Sequence, residues 1–181
     1  MELRLKTISA GGIAEALSKT QLYRNLNEPE EAESICHDIL VADPDNQAAL
    51  RLLGLALTDQ FSGQSADRYG EAEAAFLRLT DEYDRQYCLG LCLERRAKAQ
   101  MRSRVPAQIW IGALHEAMRY FESAEQLRPA GNDDAMLRWN RCVRILQSVP
   151  HLVAEEPQET VLNDFDMAPV EHMKRVRASG R

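Results

Sequence analysis

An all-α fold made of helix-turn-helix units set side by side is predicted by three observations. The pattern Leu50, Leu53, Gly54, Leu57 returns with the same spacing as Gln86, Leu89, Gly90, Leu93. Each copy is followed by a second helical pattern, an alanine with a large apolar residue four positions on, as Ala72 and Phe76 and again as Ala117, Phe121 and Ala124 before Pro129. Finally, 181 residues with 45% apolar and 28% charged side chains suffice for one hydrophobic core and lie far from the composition of a disordered chain.

The units can be placed in order along the chain. Residues 1–12 form an N-terminal extension, with Gly11-Gly12 as a hinge, and residues 13–149 form the repeat body. A first, degenerate copy runs through Tyr23, Ala32, Cys36, Ile39, Leu40 and Pro44. Seven helices are expected, over Ile13–Leu26, Pro29–Ala42, Gln47–Asp59, Tyr69–Leu79, Asp84–Met101, Ala107–Leu127 and Asp133–Ser148. Pro29 and Pro106 stand at helix starts, where a missing amide hydrogen costs nothing. Asp45, Asn46 and Asn132 offer capping oxygens. A glycine inside a helix costs about 1 kcal/mol against alanine, so Gly54 and Gly90 point to a partner helix passing too close for a side chain. Polar stretches at Gln60–Arg68 and near Met101–Pro106 read as insertions. Beyond Pro150 no period emerges, and residues 150–181 read as a flexible tail with six acids and four bases.

These residues carry a resemblance to the tetratricopeptide repeat family, on Leu50-Leu53-Gly54-Leu57 and Ala117-Phe121-Ala124-Pro129, over roughly Ile13 to Val149. Three departures stand out: Lys19-Thr20 replaces Leu-Gly in the first copy, the second copy lacks a closing proline, and the spacing is irregular. The resemblance implies a right-handed superhelix of about three repeats with a capping last helix. It also implies a protein-protein interaction scaffold or adaptor that takes a peptide in the concave groove. The family's Lys and Asn clamp for a C-terminal carboxylate is not expected, since Gln21, Leu55 and Leu91 stand where groove asparagines would be sought.

Groove residues follow from the helical wheel, at about 100° per residue. With Leu50, Leu53, Gly54 and Leu57 facing the stack, Arg51, Leu52, Leu55 and Asp59 face away. Tyr87, Leu91 and Arg95 lie opposite Leu89, Gly90 and Leu93. In the last helix a buried stripe of Met136, Trp139, Val143 and Leu146 leaves Leu137, Arg138, Arg141, Arg144 and Ile145 on the other side. The resulting mixture of leucine, tyrosine and arginine suits an extended peptide, and the three last arginines suit one with an acidic segment. The acidic tail is one such segment, which allows self-association.

Other chemistry has less under it. Cys88 and Cys92, four apart, could be two zinc ligands, but two more are needed and cysteine is a common small core residue. His37, His115, His151 and His172 do not show the paired spacing with carboxylates that would mark a catalytic dyad, and no glycine-rich phosphate loop is present. No enzyme, metal or cofactor is expected. A net charge of −6 argues against nucleic acid as a partner. The absence of a long apolar run argues against a membrane partner, and four cysteines without secretory context fit a reducing cytoplasm. Two alternatives stay open: a dedicated chaperone of a secreted client, and a ligand-binding regulatory subunit of an enzyme complex.

Overall fold

The computed structural model describes residues 3–62 and 66–153. It is all-helical: among the described residues there are seven helices of twelve residues or more, one four-residue helix and no strand. The long helices are α1 (Ile13–Asn25), α2 (Pro29–Ala42), α3 (Gln47–Asp59), α4 (Ala66–Leu77), α5 (Glu82–Arg102), α6 (Ala107–Leu127) and α7 (Asp134–Gln147), followed by α8 (Pro150–Val153). Leu3 and Leu5 of the N-terminal extension are exposed, and a 3-10 turn over Ala10–Gly12 leads into α1.

Local chemistry explains the helix ends. Asn46 accepts a hydrogen bond from the Ala49 amide at 3.0 Å, and Asn132 accepts one from the Asp134 amide at 3.0 Å. Pro29 occupies the first turn of α2. Asp81 caps α5 by accepting from the Asp84 amide at 2.8 Å, which starts this helix two residues before the expected Asp84. Both α5 and α6 run for 21 residues, and the irregular repeat spacing comes largely from this lengthened pair.

Each helix packs against the next, and α1 also touches α3, α3 touches α5, and α5 touches α7. Glycine decides how closely the hairpins approach. A Cβ built on Gly54 would lie 2.3 Å from Cε1 of Phe76, and one built on Gly90 would lie 2.8 Å from Cε1 of Phe121. Phe76 and Phe121 are fully buried. The degenerate first copy changes the sizes: Thr20 of α1 and Cys36 of α2 are both fully buried, and the Thr20 hydroxyl donates to the Ala16 carbonyl at 2.9 Å. Where the small residue grows from Gly to Thr, its partner shrinks from Phe to Cys, and interior volume is conserved.

Two expectations need correction here. Tyr87 and Leu91, placed on a solvent-facing side, are buried, because α5 is packed by α3, α4, α6 and α7 and has little outer face. Tyr87 stacks on Tyr83 and tilts against Phe121, with ring centroids 6.0 Å apart in both pairs. Helix α7 is also rotated from its expected setting. Its fully packed residues are Ala135, Cys142 and Ile145, while Met136, Trp139, Val143 and Leu146 are half-buried. Cys142 is the small residue of this helix, standing where Gly90 stands in α5, so Ile145 faces inward like Leu93. Past the expected boundary at Val149, α8 touches α6 and α7, with Leu152 against the core. The rest of the expected tail, 154–181, lies outside the described residues.

All four cysteines are free and buried. Burial pushes the thiols up, Cys88 to about 11 and Cys36, Cys92 and Cys142 each to about 12. An unfolded thiol titrates near 8.5, so the unfolded chain loses its protons first as pH rises. Stability from the four neutral thiols is complete below about pH 8 and is lost as pH climbs from about 9 toward the folded values. The urea midpoint should therefore hold steady between about pH 7 and 8 and fall above about pH 9. A midpoint still flat at about pH 10 would contradict the burial of these thiols.

Candidate functional site

Along the succession α1, α3, α5, α7, five of the ten residues expected in a groove line two cavities: Arg51, Leu52 and Leu55 in one, Arg95 and Arg138 in the other. Between α1, α3 and the start of α5 lies a cavity of about 620 Å³. Leu52, Leu55 and Leu79 supply its apolar surface, and Gln21, Gln47, Arg51, Thr80, Asp81 and Asp84 its polar surface. Arg51 sits 3.6 Å from Asp84, and its Nε is buried without a hydrogen-bond acceptor. Gln47 is fixed by accepting from the Thr80 amide at 2.7 Å and its hydroxyl at 3.0 Å. Arg51, Leu52 and Leu55 thus line one cavity.

A second cavity, of about 290 Å³, opens between α3, α5 and α7 and is lined by Thr58, Asp59, Phe61, Arg95, Lys98, Arg102 and Arg138. Two carboxylates organise it. Asp59 accepts from Arg24 Nε at 2.9 Å and also pairs with Arg95, which donates to Thr58 Oγ1 at 2.7 Å. This ties α1, α3 and α5 together through one side chain. Glu94 has no solvent exposure and lies between Lys98, one helical turn along α5, and Arg138 of α7 at 3.5 Å. Burying a carboxylate demands such partners, so Arg138 is a structural group as well as a surface cation.

The arginine triplet of α7 is therefore split. Arg138 turns inward, whereas Arg141 and Arg144 are exposed, as is Leu137 at 63%. Sequence reasoning missed Gln47, Thr80, Asp84, Glu94, Lys98 and Arg102. For Glu94 a signal existed in the four-residue spacing to Lys98, but a run of charges ordinarily marks a solvated helix face. Trp139, expected inside, is half-buried and donates its Nε1 hydrogen to Glu122 at 3.2 Å.

Among the described residues no group of three or more His, Cys, Asp or Glu side chains is arranged to hold a metal, and no helix is long and apolar enough to cross a membrane. Comparison of the chain with protein-family models, with curated proteins and with solved structures finds no match.

Proposed function

We propose that this chain is a non-catalytic binding scaffold: a tetratricopeptide-like stack of helical hairpins that holds an extended peptide of a partner protein along α1, α3, α5 and α7. The observation that carries this reading is the 620 Å³ cavity, whose leucines Leu52 and Leu55 are half-buried against the core yet still open to a ligand. Polar side chains at its rim supply hydrogen bonds for a peptide backbone, and the leucines supply a pocket for an apolar side chain. The contacts α1 to α3, α3 to α5 and α5 to α7, with the glycine-phenylalanine approach repeated in two hairpins, support the repeat architecture. Free, buried cysteines fit a reducing cytoplasm. The cavity is also of a size that takes a small molecule, which is what the ligand-binding alternative needs.

Selection of a displayed random-peptide library on the immobilised protein tests the reading. Enriched peptides should bind at roughly micromolar Kd, and Leu55→Asn in the folded protein should weaken them at least about tenfold. If selection yields no binders, or binders indifferent to Leu55→Asn and Arg51→Ala, the groove reading is wrong. A small molecule that survives purification and is released by Leu55→Asn, seen by native mass spectrometry, would favour the ligand-binding alternative.

A further inference from the structure

We propose that the cation-lined cavity between α3, α5 and α7 docks an acidic stretch of this chain's own C-terminal segment, within residues 155–166. The inference rests on the peptide-groove reading and adds an occupant to it.

Charge is the first ground. Arg95, Lys98, Arg102 and Arg138 line the cavity against a single lining carboxylate, Asp59, with Glu94 buried beneath. The further field of Asp134 at Arg138 is matched by Arg24 on the other side of Asp59. Two positive charges are thus left in excess, on a chain whose net charge is −6. Arg102, exposed one turn beyond Lys98, has no ion-pair partner among the described residues. A ligand that brings carboxylates to Arg102 and Arg95 would complete the pattern by which Asp59 and Glu94 already join neighbouring helices.

Spacing is the second ground. Leu55 lines the larger cavity and Asp59 the smaller, four residues apart on α3 and so about 6 Å along its axis. An occupant spanning both needs an apolar side chain about two extended residues from a carboxylate. Residues 154–167 contain Glu155, Glu156, Glu159, Asp164 and Asp166 with no Lys or Arg, and Leu162 stands two before Asp164. Helix α8 leaves the chain at Val153 beside α6 and α7. The nine residues to Leu162 reach up to roughly 30 Å, and the tether supplies an effective concentration in the millimolar range.

The test uses the full chain with Val170→Cys carrying a nitroxide spin label, the native thiols being buried. Arginine Nε–H signals are recorded before and after reduction of the label. At about 50 mM salt the Arg95 and Arg102 signals should lose roughly half their intensity or more, and recover at about 0.5 M salt. They should recover equally when Glu155, Glu156 and Glu159 are changed to Gln and Asp164 and Asp166 to Asn, or, for Arg95, in the Arg102→Glu protein. Unaffected signals at low salt, or attenuation that survives neutralisation of the tail, would overturn the proposal. Attenuation seen only on isotope-labelled chains mixed with spin-labelled unlabelled ones would replace the intramolecular occupant by a second copy. Peptide selection on the tail-neutralised protein, with and without Leu55→Asn, reports on the groove separately, so failure of the groove reading and failure of the tail as occupant are distinguishable.

Discussion

Gly54→Val is expected to lower the melting temperature by about 10 °C or more. A Cβ at this position would already lie 2.3 Å from Cε1, 2.6 Å from Cζ and 2.7 Å from Cδ1 of Phe76, whose ring is enclosed on every side. Valine adds two methyl groups beyond that, so α3 and α4 must separate or the ring must leave its site. Overpacking of this kind costs about 3 kcal/mol or more, against a total stability of only about 5–15 kcal/mol. Gly54→Ala separates the contributions. Alanine gains about 1 kcal/mol in helix propensity, but with Phe76 in place the clash dominates and the melting temperature falls. In a Phe76→Leu background the same substitution should be neutral or stabilising. Melting curves of the four proteins of this cycle check it, and additive effects would mean that the two side chains do not meet.

Arg138→Glu should cost up to about 3 kcal/mol, the range in which a buried carboxylate loses one of its cations, reduced because Lys98 remains and Arg138 itself is partly solvated. The new carboxylate would stand against Glu94, which has no exposure to water. Arg141→Glu and Arg144→Glu, on the exposed side of the same helix, should each stay within about 0.5 kcal/mol of the parent. A triple change of all three arginines is therefore no test of surface charge alone. Glu94→Gln combined with Arg138→Met should recover most of the loss, since a buried ion pair is often replaceable by neutral groups of similar volume. Urea titrations of the set decide the matter: equal midpoints for Arg138→Glu and Arg141→Glu would place Arg138 in solvent.

Helix existence was largely legible because it depends on local patterns. Pro29, Asn46, Pro106 and the long alanine- and leucine-rich stretches mark α2, α3 and α6 at the residues where those helices are found. The close approach at Gly54 and Gly90 was legible too, since glycine inside a helix has a propensity cost that only packing offsets. Of the candidate site, Arg51, Leu52, Leu55, Asp59, Arg95 and Arg138 line the two cavities. Tyr87 and Leu91 do not, because a helical wheel assigns one inner face and α5 has neighbours on nearly all of its faces.

What the sequence by itself determined is therefore the all-α class, the helix boundaries to within a few residues and the small residues at which helices meet, all set by interactions within a turn or two. The tertiary structure decided the rotation of α7, the burial of Glu94 between Lys98 and Arg138, and the pairing of Asp59 with both Arg24 and Arg95. Those outcomes depend on which charges from distant parts of the chain arrive at one place. Once water is excluded there, a carboxylate must find its cations, and that requirement is invisible in any single helix.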